Sequence, residues 1–460
     1  MIHKFTVNGE RFVLDVNSGA LHLVDEVVWD LLDDYGRRPR EELFAACAQK
    51  YPPDEVAGAL AEIEQLAAEG ALFSEDTLRG SWEPPEHGIV KALCLHLAHD
   101  CNLRCRYCFG AQGTFSGPRS LMPADVGRRA VDFLLAFSGP RRHVEIDFFG
   151  GEPLLNFAVL RELVAYGREK AARANKEIKF TVTTNAVLLN DQVGDYLAEN
   201  QISVILSLDG RPPVHDRMRV FPDGSGSYAK VIAKISRFLR AHPDADYYLR
   251  GTFTRANPDF AADVLHMAGL GFTRISLEPV VAVPGEGYAL REEDLPVVFA
   301  EYERLAAELA SRAGQGREID FYHFNIDLEG GPCLPRRLSG CGAGCDYLAV
   351  TPEGDLYPCH QFVGRRDYLL GDVERGIIRN DLRELFRHAH IYNKEGCGEC
   401  WARFYCSGGC HASAQAFNND IHKPCQLACR LMQKRLECAL YYQAGRVRDQ
   451  KAGGEGTKKA

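Results

Sequence analysis

Fourteen of the sixteen cysteines in 460 residues fall into two bursts, three between residues 101 and 108 and eleven after residue 330. This bunching constrains the chain more than any other feature. In a reducing compartment, thiols grouped at short spacing are metal or redox ligands before they are disulfides. The start, Met1-Ile2-His3-Lys4-Phe5-Thr6-Val7, lacks the basic, apolar and small-residue zones of a signal peptide, so a cytoplasmic location is expected. No apolar run approaches the ~18 residues needed to span a bilayer. The net charge of −9 disfavours nucleic acid and anionic membrane as partners. Cys47 and Cys94 stand alone in apolar patterns and read as small core residues.

Three regions follow one another. In residues 1–80, Phe12-Val13-Leu14 and Leu21-His22-Leu23-Val24 flank a Gly-containing turn and predict a β-hairpin. Three short amphipathic patterns follow it, which gives a winged-helix-like module. Gly80–Gly88 reads as a linker. Residues 89–320 alternate strands and helices. The predicted strands are Ala92–Ala98, Val144–Phe149, Ile178–Thr184, Ser203–Leu208, Tyr248–Thr254 and Thr273–Val280. Six βα units in series imply an α/β fold with a parallel sheet and right-handed crossovers, here a partial (β/α)6 barrel. Chemistry then belongs at the carboxyl ends of the strands. Residues 330–445 show weak periodicity until about Pro424–Tyr442, so metal sites are expected to organise them. Residues 446–460 read as a disordered tail.

Directly after the first strand comes His99-Asp100-Cys101-Asn102-Leu103-Arg104-Cys105-Arg106-Tyr107-Cys108-Phe109, a C-x3-C-x2-C run. Three thiolates on one loop can hold three irons of a 4Fe–4S cubane and leave the fourth open to a chelating ligand. Zinc prefers four ligands in a closed site, usually paired C-x2-C knuckles, and fits this run poorly.

The run resembles the signature of the radical S-adenosylmethionine (SAM) superfamily, C-x3-C-x-aromatic-C. The resemblance implies a radical-generating cluster on Cys101, Cys105 and Cys108, with Tyr107 beside SAM. Phe149-Gly150-Gly151-Glu152-Pro153 is similar to the superfamily's GGEP strand end, so Gly150, Gly151 and Glu152 are expected against the SAM amino group. By the same resemblance Thr184, Asn185, Ser207 and Asp209 are SAM-binding strand ends, Arg219 meets the SAM carboxylate, and Leu277–Val280 lies near the adenine.

In the C-terminal region, Cys397, Cys400, Cys406 and Cys410 form C-x2-C-x5-C-x3-C, and Cys341, Gly354 and Cys359 form C-x12-G-x4-C. These strings resemble the SPASM domain of peptide-modifying radical SAM enzymes. The likeness implies two auxiliary 4Fe–4S clusters, three clusters in all. Cys397, Cys400, Cys406 and Cys429 would bind the outer one, with Cys425 able to replace Cys429. Cys341, Cys359 and Cys410 would bind the inner one, with Cys345 able to close it. Cys333 and Cys438 are left for packing. A pair of zinc ribbons is the competing reading, since thiolates suit both metals.

The N-terminal module is poorly basic, with Asp54, Glu55, Glu62, Glu64 and Glu69 crowding its third helix, which argues against DNA. It resembles the precursor-peptide recognition element, whose sheet edge takes a leader peptide as an added strand. Met1–Phe5, Leu14–Ala20 and Tyr357–Phe362 resemble the maturases of SCIFF peptides, small cysteine-rich precursors. That resemblance implies thioether bonds from a Cys sulfur to the α-carbon of another residue, on a cysteine-rich precursor peptide with a leader. It also implies a flavodoxin- or ferredoxin-type reductant. Other readings are a different SPASM enzyme, either carbon–carbon crosslinking or sulfatase maturase-like, and a zinc-binding regulator.

Overall fold

The structure is a computed structural model that describes residues 1–85, 89–282, 285–328 and 334–456. The N-terminal sheet has three antiparallel strands, β1 (Ile2–Val7), β2 (Glu10–Asp15) and β3 (Leu21–Leu23), in that order. The first strand is absent from the sequence reading. Its signal is Asn8-Gly9, both at positive φ (49° and 84°), the two-residue turn whose twist suits a hairpin. Helices α1 (Glu26–Asp34), α2 (Arg40–Cys47) and α3 (Pro53–Ala68) follow. Asp25 caps α1 by accepting from Val28 N. Val28, Leu31, Leu60 and Ile63 pack with Val13 into a separate small core.

The central sheet begins with β4 (Ala92–Ala98), β5 (His143–Gly150), β6 (Glu177–Thr184), β7 (Ser203–Ser207), β8 (Tyr247–Phe253) and β9 (Arg274–Pro279). They pair in sequence order and all in parallel. All seven residues of β4 are buried, as expected for a strand covered on both faces. Helices α4 (Ala124–Phe137), α5 (Phe157–Arg173), α6 (Asp191–Glu199), α7 (Pro212–Met218), α8 (Tyr228–Ala241) and α9 (Ala261–Gly269) are the crossovers. The helix α10 (Leu295–Gly314) then leads to β10 (Asp320–Phe321), which adds in parallel to β9.

The C-terminal region is more regular than its periodicity suggests. β11 (Tyr347–Val350) pairs in parallel with β4, and β12 (Asp355–Tyr357), β13 (Gly371–Asp372) and β14 (Gly376–Ile377) continue outward antiparallel. One eleven-stranded sheet therefore runs through both regions. These strands are two to four residues long, too short to leave a period-2 signal. Short helices α11 (Leu334–Ser339), α12 (Asn380–Arg387), α13 (Arg403–Cys406) and α14 (His411–Asn418) carry the loops. The last helix, α15, spans Gln426–Gly456, so the expected disordered tail is helical as far as Gly456. Residues 457–460 and Cys333 lie outside the described residues.

Candidate active site and auxiliary cysteine sites

The loop after β4 is fixed by its backbone. Cys101 N donates to Asp100 Oδ1 (2.8 Å), and Arg104 N and Arg106 N donate to Val220 O and Met218 O (2.8 Å each). Leu103, 1% exposed, anchors it in the core. Cys101, Cys105 and Cys108 sit together, close enough to perturb one another electrostatically. Burial pushes the thiols up, to about 12 for Cys101 and about 11 for Cys105, so metal binding must expel their protons.

The three thiols line a cavity of about 210 Å³ together with Tyr107, Gly150, Gly151, Thr184, Asn185, Ser207 and Arg219. Two of these positions exclude any side chain. A Cβ on Gly150 (φ +123°) would lie 2.3 Å from Ala98 O, and one on Gly151 would lie 2.1 Å from Asp100 O. Pro279 and Val280 also reach the cavity.

Two residues expected on the wall stand one layer behind it. Glu152 is fully buried, and its carboxylate accepts from Leu154 N (3.1 Å), Thr184 Oγ1 (2.7 Å) and Asn185 N (2.8 Å). Those bonds use both its oxygens to aim Thr184 and Asn185. Asp209, also fully buried, accepts from Tyr107 Oη (2.5 Å), Arg219 Nε (3.0 Å) and Thr252 N (3.0 Å). Arg219 in turn lies over the Tyr107 ring (5.5 Å). Each acid therefore positions the groups that face the ligand.

On the far wall Glu278 belongs to the Leu277–Val280 strand end read from the sequence, while Arg250 and Thr252 escape that reading. Arg250 and Thr252, alternate residues of β8, face Glu278 of β9, His360 and Gln361. Arg250 Nη2 donates to Glu278 Oε2 (3.0 Å). Behind them His323 shares a hydrogen bond with Ser276 Oγ (3.0 Å) and receives Arg435 Nη1 (3.1 Å). Burial pushes the Glu278 carboxyl up, but Arg250, His323 and Arg435 outweigh it and hold the group at about 2. The only available signal for Arg250 and Thr252 was the period-2 placement of polar residues on β8.

The C-terminal cysteines form two groups. Cys359 stands with Cys410 and Cys341. Cys429 stands with Cys406, Cys397, Cys400 and Cys425. Cys410 caps α14 by accepting from Ser413 N (3.5 Å), and Gln433 Nε2 lies 3.4 Å from Cys400 Sγ. Burial pushes the Cys410 thiol up, against the opposing pull of the Ser413 and Ala412 amides. Cys345 lines one cavity with Cys341, and its electrostatic neighbours are Arg383, Asp346, Glu384 and Arg387. Cys438 is buried beside Lys434 and Glu303. Among the described residues no three His, Cys, Asp or Glu side chains converge as a single ion requires.

The N-terminal module presents two surfaces. Between edge strand β3 and α3 lies a cavity of about 620 Å³ lined by Leu21, Leu23, Val24, Val28, Ile63 and Leu66, among others. Another surface is pressed on the Cys397–Cys406 segment. The His3 ring stacks on Trp401 (3.8 Å), and buried Arg403 reaches Asp76 Oδ2 (3.2 Å) and Asn17.

Comparison with known proteins agrees with this layout. A family described as a 4Fe-4S single cluster domain matches residues 87–232, and SPASM, an iron-sulfur cluster-binding domain, matches residues 341–401. The mycofactocin maturase MftC of Mycobacterium ulcerans is 28% identical over 347 residues, 71% of this chain and 85% of that protein. The uncharacterized protein MJ0907 of Methanocaldococcus jannaschii is 31% identical over 138 residues, and there this chain spans only 45% of the relative. The solved structure of anSMEcpe with bound AdoMet superposes with a TM-score of 0.66 at 19% identity, covering 79% of this chain and 95% of that one. Streptococcus suis SuiB bound to precursor peptide SuiA gives 0.51 at 16%, covering 92% and 97%. The fold and the matched iron–sulfur domains resemble those of radical SAM proteins with a SPASM domain. The β4–β9 strands form the part that resembles the radical SAM barrel, and the SPASM match covers both the β11–β14 strands and Cys397 and Cys400. No helix among the described residues is long and apolar enough to cross a membrane.

Proposed function

We propose that this chain forms Cys-sulfur to α-carbon thioether crosslinks in a ribosomally made, cysteine-rich precursor peptide in the cytoplasm. Residues 1–80 act as the leader-recognition element, 89–320 as the radical SAM barrel and 330–445 as the auxiliary-cluster domain. Cys101, Cys105 and Cys108 hold the radical cluster. Cys341, Cys359 and Cys410 hold the inner auxiliary cluster, and Cys397, Cys400, Cys406 and Cys429 the outer one. When bound, the radical cluster and SAM supply a 5′-deoxyadenosyl radical, and the auxiliary clusters take up an electron.

One observation carries the reading. Cys359, of the inner group, is followed directly by His360 and Gln361, which form the far wall of the cavity that begins at Cys101. A substrate in that cavity would lie between the radical source and a second iron–sulfur site, as a bond-forming oxidation requires. The chain's own groups do the positioning. Asp209 fixes Arg219 and Tyr107, and Glu152 fixes Thr184 and Asn185, on the SAM side. Arg250 and Glu278 present a charged pair on the substrate side. The β3 edge supports the peptide reading, since an added strand gains main-chain hydrogen bonds while the apolar groove takes alternate side chains. The likeness to SuiB bound to precursor peptide SuiA and to the mycofactocin maturase MftC adds to it. A flavodoxin- or ferredoxin-type protein supplies reducing electrons.

The test is mass spectrometry of a cysteine-rich precursor encoded beside the gene, after anaerobic turnover with SAM and reductant. A loss of two hydrogens per crosslink, with fragmentation at a Cys to α-carbon thioether, is expected. A carbon–carbon crosslink, or a formylglycine on a sulfatase-type peptide, would replace the thioether reading.

A further inference from the structure

Two cysteine groups that share no ligand are spanned by a single side chain. Lys394, 3% exposed, precedes Cys397 by three residues. Its Nζ donates to Gly408 O (2.8 Å), midway between Cys406 of the outer group and Cys410 of the inner one. The backbone holds it there: Lys394 N donates to His390 O (3.0 Å) and Lys394 O accepts from Cys397 N (3.2 Å). A Cβ on Gly408 would meet Lys394 Cδ at 3.0 Å, so the stem lies directly on the Cys406–Cys410 turn. The ammonium is within electrostatic reach of Cys397 and Cys406 on one side and of Cys341 and Cys410 on the other. Among the described residues no carboxylate pairs with it. A buried cation without an anionic partner is costly, so the fold makes room for one.

We propose that Lys394 is the electrostatic bridge between the two auxiliary clusters, a positioning and tuning residue that serves both at once. The proposal rests on the ligand sets assigned above. A fixed positive charge between two metal sites favours the more negative, reduced state of each. It therefore raises both reduction potentials together, easing reduction of each cluster. Reduction potentials of such clusters answer to net charge, burial and hydrogen bonding, and Lys394 supplies the first of these to both sites.

The test uses the full chain carrying Cys101/Cys105/Cys108→Ala, so that only auxiliary clusters are read. Lys394→Met keeps the stem and removes the charge, and Lys394→Arg keeps the charge. Iron and sulfide are counted, and the two auxiliary signals are followed by EPR-monitored redox titration. The expected result is a fall in both midpoint potentials in Lys394→Met and recovery of both in Lys394→Arg. If Lys394→Met instead sheds iron, loss from both sites with retention in Lys394→Arg supports the bridge. Equal loss in Lys394→Arg overturns it. Two auxiliary signals with unmoved potentials, or movement of only one, overturn the proposal alone. A parent protein without two auxiliary signals overturns the ligand sets, and the bridge with them.

Discussion

The radical cysteine loop and the C-terminal cysteine field contain the same side chain but are built in different ways. Cys101, Cys105 and Cys108 ride on one loop after a fully buried strand, and strand ends of a regular parallel sheet frame them. The auxiliary groups draw on residues from Cys341 to Cys429, carried by turns, a helix N-terminus and α15. Their segment is braced by a distant part of the chain. His3 stacks on Trp401, Arg403 reaches Asn17 and Asp76, and Arg79 pairs with Glu399 (2.5 Å). A site on a regular scaffold needs only local spacing. One on irregular scaffold is completed by whatever packs against it.

The sharpest break between the two regions is expected from cysteine replacement. Changing Cys101, Cys105 and Cys108 to Ala should abolish 5′-deoxyadenosine formation while about two thirds of the iron of three cubanes remains. Cys359→Ala should do the converse: crosslinking is eliminated and SAM cleavage persists. Product chromatography and iron analysis on the two proteins check both. Undiminished SAM cleavage in the triple variant would refute the radical-cluster assignment.

Next in size is the brace. Removing residues 1–80 should cost precursor binding and also strip iron from the outer group, because the truncation uncovers Trp401 and leaves Arg403 without Asp76. The Arg403–Asp76 pair is almost wholly buried on its Arg side (2% exposed), and breaking such a pair costs about 3–5 kcal/mol. Asp76→Ala should therefore lower stability and outer-group iron together, as seen by thermal unfolding and iron analysis. Leu23→Asp acts on the other surface of the same module. Leu23 is 50% exposed on β3, so the fold should tolerate the change while precursor affinity falls. Fluorescence anisotropy of a labelled leader reads that loss. Normal affinity would remove the β3 edge from consideration.

The same contrast explains what the sequence revealed. Strands β4 to β9 lie within two residues of the runs read from hydrophobic pattern, because each is an apolar or alternating run between turn signals. The C-x3-C-x2-C loop was legible because its ligands are neighbours in sequence. Pairing of β11 with β4 joins residues 255 apart and leaves no local trace. Glu152 and Asp209 were found, but their direction was not: spacing says which residue ends a strand, not whether its carboxylate faces the cavity or the neighbouring strand. Lys394 had no signal at all. One lysine near a cysteine string reads as surface charge until the Cys406–Cys410 turn folds over it.

The smallest effect is expected at Cys345. Sequence spacing leaves it free to close the inner cluster, since Cys341 is only four residues away. In the fold both line one cavity, and Cys345 also reaches α12. Cys345 N donates to Gly342 O (3.0 Å), and its Sγ lies 3.9 Å from Arg383 O at the side of α12. Its charged neighbours come from α12 and Asp346, while the largest thiol influences on Cys359 are Cys410 and Cys341. Burial pushes the Cys345 thiol up to about 12, so without a metal it stays protonated at neutral pH. Thr is similar in size, and its hydroxyl can take the same carbonyl, so Cys345→Thr should cost less than about 1 kcal/mol of stability. Iron content and crosslinking should stay close to the parent values. An inner iron left without a protein ligand could then accept a substrate thiolate, deprotonating it and fixing it beside the acceptor carbon. Loss of the inner cluster together with crosslinking in Cys345→Thr would show that the protein closes this iron itself, and that sulfur reaches the acceptor by another route.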